Sequence, residues 1–242
     1  DDDELHRYSM SKLMLEEGFF AKTFPVYNVD SKKIKIEELP QGIGELSAKF
    51  SFTFENTGVM KDGVIYTIKT TPDYNGKQLT LGDVMDDVDV DEKYFIPENR
   101  LYYTSPNVNH SDETHERLSK EARQTWQYLK GAKKLPRKAA SGHQYIFSEG
   151  PIEMIDSYDK PARTMLTSEG GFSRTTHIVR DKKTGRIRLL TAEETERIQG
   201  FPTGHTKWCK VGDDIVEMPL NTLVVDLIKD MEKILAEIVN EE

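Results

Sequence analysis

The sequence predicts an α+β fold, in which a β-rich region runs to about residue 187 and a helical C-terminal segment follows it. Phe50, Phe52 and Phe54 alternate with polar residues, the pattern of a half-buried strand. Near the C-terminus, apolar residues recur at spacings of three and four, which is typical of an amphipathic helix. These residues are Leu220, Leu223, Val224, Leu227, Ile228, Met231, Ile234, Leu235 and Ile238. The 242 residues are enough for one large domain or two small ones.

The N-terminal third is predicted to contain a helix over residues 5–20, ending at Gly18, and three short strands. The strands are residues 34–36, 50–54 and 64–69, the last two paired as a hairpin around the turn-rich residues 56–63. Further on, Thr80 and Asp83 have the spacing of a capping box and predict a short helix over residues 79–85.

The middle of the chain is predicted to alternate helix, loop and strand. Residues 117–129 have the pattern of a helix, and residues 131–142 that of a basic loop rich in small residues. That loop fits either a mobile element that reads a DNA groove or an ordinary linker. Residues 143–147 are predicted to form a strand. Residues 177–180 and 186–189 are predicted to form a hairpin, with Gly185 in its left-handed position.

Charge is segregated along the chain. The formal net charge is −9, which by itself disfavours a non-specific nucleic-acid binder. Residues 117–140, however, carry eight Lys and Arg against one acid, and residues 160–188 carry eight against two. Such segregation suits a protein that offers DNA one face, although a solvated surface would explain either stretch alone.

Several classes of protein are disfavoured by composition. No apolar run approaches the roughly 20 residues of a membrane helix, and no signal peptide is visible at the start. A single cysteine, Cys209, excludes an internal disulfide and suits a reducing cytoplasm. His110 and His115 lack the spacing and the cysteine partners of a zinc site, so no metal is expected. Because the chain begins with Asp1 rather than Met, we expect a fragment or a processed chain.

The most informative run is residues 188–202, a helix with both ends specified by the sequence. Thr191 and Glu194 have the spacing of a capping box. Gly200 suits the left-handed residue that follows a helix, and Pro202 prevents the helix from continuing. Arg197 lies in the last turn, where a cation is favourable. By itself, this pattern also fits a short connector helix.

The spacing R-x-L-T-x-x-E-x-x-R-x-Q-G-F-P resembles the ninth conserved motif of the cytosine-5 DNA methyltransferases. Residues 161–171 resemble the Thr-hydrophobic dipeptide and Gly-rich turn at the end of that family's target recognition domain. Residues 212–216 occupy the place of its tenth motif. The resemblance implies a β-rich target recognition domain over residues 1–187. It also implies a motif nine and ten segment over residues 188–242, with a final helix that packs on a missing α/β catalytic domain.

The family methylates C5 of cytosine in a specific duplex sequence, using S-adenosylmethionine and a cysteine nucleophile on a flipped base. The expected Pro-Cys, Glu-Asn-Val and Gln-x-Arg-x-Arg motifs and the Gly-rich cofactor loop are absent from this sequence. Cys209 follows Trp208, and we expect it to be structural. The chain is therefore expected to hold no catalytic residue, to be inactive alone, and to need a catalytic half from the same parent chain or a separate subunit.

Site residues carry over from the resemblance as three groups. The residues expected at double-stranded DNA are Arg163, Thr164, Met165, Gly170, Gly171 and Arg174. The motif nine residues, expected to organise the recognition domain, are Arg188, Glu194, Arg197, Gly200 and Pro202. The residues expected at the cofactor, which the missing half would bind in the main, are Gly212, Asp213 and Asp214. Asp213 stands where the family usually has Asn.

Two other functions stay open from the sequence. One is a stand-alone sequence-specific DNA-binding module, against which an uncovered apolar stripe on the last helix would argue. The other is a decayed methyltransferase that serves as a protein-interaction scaffold, which the acidic balance and Asp213 favour.

Overall fold

A computed structural model describes residues 2–27, 30–42, 44–46, 52–85, 88–103, 118, 120–216 and 218–240. Helices and small antiparallel sheets are mixed along the chain, which confirms the α+β prediction in its coarse form. The chain forms two compact units, one of Asp1–Lys77 with Asp226–Glu242 and the other of Gln78–Val225. Within the described residues, no helix has the length and apolar character needed to cross a membrane.

The first unit combines an N-terminal helical region with short strands. Its helices are α1 (Asp2–Lys12), continued by a π-helical turn (Leu13–Glu17), and α2 (Phe19–Thr23). Its strands are β1 (Val26–Tyr27), β2 (Lys35–Glu38), β3 (Thr57–Lys61), β4 (Val64–Ile68) and β5 (Thr71–Pro72), with a 3₁₀ turn at Ser31–Lys33. Strand β4 is the centre of an antiparallel sheet of order β2-β4-β3, and β1 pairs with β5.

One apolar cluster holds this unit together. Met10 and Met14 lie one turn apart on the N-terminal helix and pack with Ile34, Tyr66 and Ile68. The helix ends before Gly18, as the sequence predicts, and strand β4 forms where residues 64–69 were expected to be extended.

The hairpin partner of β4 differs from the prediction. Residues 52–54 are not in a strand, and residues 50–51 lie outside the described part. The partner is β3, inside the stretch expected to be turn-rich, and the turn is limited to Asp62 and Gly63, both with positive φ. Cross-strand bonds explain the choice, because Thr67 Oγ1 donates to the Thr57 carbonyl (2.8 Å) and Asn56 bonds the backbone of Thr70. The pairing of β3 with β4 therefore outweighs the alternating phenylalanines that predicted a strand over residues 50–54.

The second unit is built around a central hairpin. Its strands are β6 (Lys133–Lys138), β7 (Gln144–Glu149), β8 (Ile178–Arg180), β9 (Ile187–Leu189), β10 (Lys210–Val211) and β11 (Asp214–Ile215). Its helices are α3 (Leu81–Val84), α4 (Glu98–Leu101), α5 (Trp126–Lys130) and α6 (Ala192–Ile198), with 3₁₀ turns at Glu92–Tyr94 and Ala122–Gln124. The strands pair as β6-β7, β8-β9 and β10-β11.

The β8-β9 hairpin separates two apolar clusters. Val179 packs with Leu81, Met85 and Leu190. Ile178, which points to the opposite face because side chains alternate along a strand, packs with Leu101, Trp126 and Ile187. The predicted 177–180 and 186–189 hairpin is confirmed, with Gly185 at φ +70°.

Two predictions in the middle of the chain were wrong in part. Residues 117 and 119 lie outside the described part, and the helix expected to reach residue 129 is interrupted at Thr125. Thr125 instead caps α5 by accepting a hydrogen bond from the Tyr128 amide (3.4 Å). The basic residues expected to form a loop over 131–142 form strand β6, paired with β7 over six residues. The predicted strand 143–147 corresponds to β7.

The C-terminal helix is α7, Val225–Asn240. None of its residues is buried, and Leu227, Leu235 and Val239 are 42–64% exposed. The expected division of function at residue 187 falls inside strand β9 and does not coincide with a boundary between compact units. It stays a prediction about function.

Candidate nucleic-acid interface

Residues 161–176 form a loop whose two ends are held by Arg163. Its guanidinium grips Asp156 with two bonds, Nε to Oδ1 (2.6 Å) and Nη2 to Oδ2 (3.1 Å). It also donates to the backbone carbonyls of Thr175 (3.0 Å) and Thr176 (3.3 Å). A planar guanidinium can satisfy several acceptors at once, so one side chain fixes both ends of the loop. Arg163 is therefore engaged inside the protein, with its side chain 30% exposed.

A buried lysine also holds the C-terminal end of this loop. Lys130, 1% exposed, donates through Nζ to the Thr176 carbonyl (2.6 Å) and lies 3.9 Å from Asp156. Burial lowers the pKa of Lys130 to about 8, because the charged ammonium loses its hydration. Burial alone would raise the pKa of Asp156, but hydrogen bonds from Arg163 and the Ile178 amide bring that pKa below its usual value. The pair thus stays ionised at neutral pH.

Inside the loop, polar groups satisfy one another around a tight turn. Thr176 donates to the carbonyls of Ser168 (3.1 Å) and Gly171 (2.8 Å). The Glu169 carboxylate accepts from the His177 amide (3.0 Å) and bonds its ring Nδ1 (2.9 Å). Gly170 has φ +78°, and a Cβ atom there would lie 2.6 Å from Cγ of Pro219. The turn therefore requires glycine at position 170 for both its conformation and its space.

Thr164 and Met165 line a cleft of about 310 Å³. Arg197 and Gln199, from the end of α6, line the same cleft. Met165 is 5% exposed, so its side chain belongs to the cleft wall rather than to the open surface. Among the described residues, nothing bonds the buried Gln199 side-chain oxygen, which leaves an acceptor in the cleft wall. Two segments separated by some thirty residues in the sequence thus form one concave surface.

The helix α6 is anchored by a buried ion network. Arg188 is fully buried and donates to Asp181 (3.0 Å) and to both oxygens of Glu194 (2.7 and 2.8 Å). Glu194 also accepts from the Thr191 amide, while its own amide donates to the Thr191 hydroxyl, which confirms the capping box. Burial would raise the pKa of Asp181, yet bonds from Thr184 and Arg188 lower it. Arg188 therefore joins strand β9, its hairpin turn and the start of α6.

The far end of α6 is held by a second set of contacts. Arg197 donates to the Val84 carbonyl (2.7 Å), and Gly200 has φ +78°, as expected of the residue that ends the helix. Glu196, fully buried, accepts from the amides of Gly204 (2.5 Å) and Thr206 (2.6 Å) and so folds the chain after Pro202 back onto the helix.

Arg174, the other arginine expected at DNA, is also bonded within the protein. It donates to the Gly150 carbonyl (2.5 Å) and pairs with Glu149 (2.6 Å), with its side chain 19% exposed. Glu149 is shared with Lys133 (3.4 Å), and the hydrogen bond from Arg174 is the main cause that lowers the pKa of Glu149. Arg174 thereby secures the base of the β6-β7 hairpin.

The three residues expected at the cofactor lie in the β10-β11 hairpin. Gly212, at φ +65°, and Asp213 form its turn, and Asp214 begins β11. All three are exposed, and none lines the cleft of Thr164 and Met165. Cys209 is partly buried, and its amide donates to the Thr206 carbonyl. His110 and His115 lie outside the described residues.

Four charged residues that shape this site escaped sequence reasoning: Lys130, Asp156, Asp181 and Glu196. Glu196 stands at an unspecified position of the run 188–202, and the other three stand in no motif. Each finds its partner only after the chain has folded. Only Asp181 had a local signal that could have found it. It stands three residues before Thr184 at the start of a turn, and an aspartate there typically accepts a hydrogen bond from the turn's backbone.

Residues 50–237 match the family model described as C-5 cytosine-specific DNA methylase. The chain therefore belongs to the cytosine-5 DNA methyltransferase family.

A curated relative is "Type II methyltransferase M.Sau3AI" of Staphylococcus aureus, 34% identical over 220 residues. The alignment covers 90% of this chain and 47% of the relative, so the chain spans about half of that protein's length. No solved structure matches the chain significantly.

Proposed function

We propose that this chain is the target-recognition and C-terminal part of a DNA cytosine-5 methyltransferase that transfers methyl from S-adenosylmethionine to cytosine C5 in duplex DNA. The observation that carries the proposal is the shared cleft. Thr164 and Met165, which match the family's recognition dipeptide, line the same cleft as Arg197 and Gln199 of the segment that matches its ninth motif. Two matches found independently in the sequence thus form one surface.

The chemistry requires a second half. The only cysteine, Cys209, follows Trp208 rather than a proline, and the cofactor-binding motifs of the family are missing from the 242 residues. Exposed apolar side chains support packing on a catalytic half: none of the residues of α7 is buried, and Trp208 is 69% exposed. A domain that functions alone would need to cover these apolar side chains within its own fold. Gly212, Asp213 and Asp214 would meet the cofactor only when that half is present.

Within the interface, we assign Arg163 and Arg174 mainly to positioning. Their guanidinium donors already serve Asp156, Glu149 and backbone carbonyls, so a bidentate contact with guanine would cost these bonds. The loop that they hold presents Thr164, Gly170 and Gly171 to DNA, where glycine lets the backbone approach closely. Arg188 and Glu194 fix the position of α6 on the β8-β9 hairpin, which directly follows this loop in the chain.

Methyl transfer tests the proposal directly. Labelled S-adenosylmethionine and mixed-sequence DNA are incubated with this chain, with a catalytic half from a family member, and with both together. We expect transfer only from the mixture, and none when the nucleophilic cysteine of the catalytic half is replaced by alanine. Transfer by this chain alone would show that the nucleophile has been misplaced. If no mixture transfers methyl while this chain still binds DNA, the result would instead support the stand-alone DNA-binding module.

A further inference from the structure

The β6-β7 hairpin carries positive charge that the fold leaves unused. Lys134, Arg137 and Lys138 are exposed, and none forms an ion pair with a described residue. This differs from the basic turn of the β8-β9 hairpin, where Lys183 pairs with Asp89 (2.6 Å) and Arg186 with Glu92 (2.6 Å). Three cations without an ion-pair partner among the described residues therefore lie together on this one hairpin.

The base of the hairpin is fixed rigidly to the rest of the unit. Lys133 is buried and donates to the carbonyls of Leu129 (2.8 Å) and Gly131 (3.2 Å). Glu149, directly opposite Lys133 in the ladder, is the acidic residue of the two strands and is neutralised by Lys133 and Arg174. The outer half of the hairpin thus carries no carboxylate to offset its lysines and arginine.

The two faces of the hairpin differ in chemistry. On one face, Arg137 stacks on Phe147 with its guanidinium carbon 3.7 Å from the ring centre, and Tyr145 lies opposite it. On the other face, Lys138 lies opposite Gln144 and four residues from Lys134. Neither face is covered at the outer end, where Tyr145 is 42% and Ile146 57% exposed.

The tip of the hairpin is small. Residues 139–142 are Ala, Ala, Ser and Gly, closed by a bond from the Ala139 amide to the His143 carbonyl (2.8 Å). Gly142 has φ +90°, and a Cβ atom there would meet nothing nearer than 4.0 Å. A tip without bulky side chains lets the backbone approach a surface closely.

These dimensions fit a groove of duplex DNA. Two strands lie about 4.8 Å apart and six residues extend about 20 Å, while the major groove is about 12 Å wide and 8.5 Å deep and admits a two-stranded ribbon. A two-stranded hairpin that is exposed on both faces is only marginally stable by itself. Here the contacts of Lys133 and Arg174 hold its base, so its outer half is available for binding. The guanidinium group of an arginine can donate two hydrogen bonds to the O6 and N7 atoms of guanine, so Arg137 is suited to reading a base edge.

We infer that the β6-β7 hairpin enters the major groove, with Lys134 and Lys138 on phosphates and Arg137 at base edges. The inference rests on the proposed function, since it names the element by which this chain binds its duplex. The Arg163 and Arg174 contacts then hold the loop and the hairpin base, and the hairpin does the reading.

Binding of the full chain to duplex DNA across a salt series tests the phosphate contacts. In Lys134→Gln/Lys138→Gln, we expect affinity at physiological salt to fall about tenfold and the slope of log affinity against log salt to flatten by about 2. The matched control is Lys182→Gln/Lys183→Gln, which removes the same charge from the other hairpin and should leave the slope near that of the parent. Equal slopes in the two double variants would overturn the inference.

Base reading is tested separately with Arg137→Lys, which keeps the charge but loses the guanidinium fork. We expect an unchanged salt slope, loss of protection of guanine N7 from methylation by dimethyl sulfate, and reduced discrimination between selected and scrambled duplexes. Thermal unfolding at the parent temperature establishes that each variant is folded. Preference for single-stranded DNA or for RNA over duplex would contradict insertion into the major groove.

The outcomes separate the inference from the proposed function. If the mixture with a catalytic half transfers methyl but the lysine double variant binds like the parent, the hairpin assignment is wrong and the proposed function stands. If the double variant loses binding but no mixture transfers methyl, the hairpin assignment stands and the proposed function fails.

Discussion

Replacing Arg188 by methionine should remove a substantial part of the stability of the second unit. The fully buried guanidinium neutralises two carboxylates, Asp181 and Glu194, which are 3% and 0% exposed. Methionine fills similar volume but leaves both carboxylates buried without the cation that neutralises them. Breaking a buried ion pair in this way costs about 3–5 kcal/mol, against a total of roughly 5–15 kcal/mol for a typical domain. Urea unfolding followed by tryptophan fluorescence measures the loss, since Trp126 lies in the same unit.

The matched control is Arg186→Met, two residues away in the same chain segment. Arg186 also pairs with a carboxylate, Glu92, but both side chains are at least half exposed, so water screens the pair and replaces the lost bond. We expect a much smaller shift of the unfolding midpoint. Equal shifts for the two variants would refute the view that Arg188 organises this unit, because burial is the difference between them.

Two further predictions concern the loop of residues 161–176. Burial lowers the pKa of Lys130 to about 8, below its unfolded value of about 10.5. Between these values the unfolded chain binds more protons, so the free energy of unfolding should rise with pH, by up to about 1 kcal/mol per unit. Lys130→Met should reduce this rise, since Lys133, whose pKa burial also lowers, still contributes to it, and the exposed Lys134→Met should keep it in full; a flat profile in the parent would contradict it. Gly170→Ala should destabilise by clearly more than Gly185→Ala, because both have positive φ but only position 170 would bring a Cβ atom against Pro219. Thermal unfolding measures the difference, and equal losses would show that backbone strain alone matters.

The elements that the sequence predicted well are those whose signals are local. Thr191 and Glu194 lie three residues apart, and their capping box depends on no distant contact. The β8-β9 hairpin likewise follows from its own alternation and from Gly185 in the turn. Gly200 ends α6 for the same local reason.

The failures have a common cause, which is competition from distant partners. Strand β6 was expected to be a loop because Lys and Arg dominate it, yet Lys133 reaches buried carbonyls and Glu149 offsets its charge. The strand expected at residues 50–54 lost its partner to β3, where Thr57 and Thr67 bond across the ladder. Neither bond can be seen in a pattern of apolar residues.

The candidate site was only half predictable. The resemblance marked Arg163 and Arg188, but it could not show that Arg163 is occupied by Asp156, which stands seven residues earlier in no motif. It also could not show that Lys134, Arg137 and Lys138 lie together on the β6-β7 hairpin without an ion-pair partner among the described residues. Which arginines remain available to DNA depends on where carboxylates come to lie, and that is a property of the fold.

The measurement that tests the central claim most directly is the sequence methylated by a chimera. This chain is joined to the catalytic half of a family member of different specificity, and methylated cytosines are mapped by bisulfite sequencing of random DNA. We predict one short recurrent sequence that differs from the donor's own site and that matches the duplexes this chain selects by binding. Methylation at the donor's original site would show that recognition does not reside in this chain, and the account would be wrong.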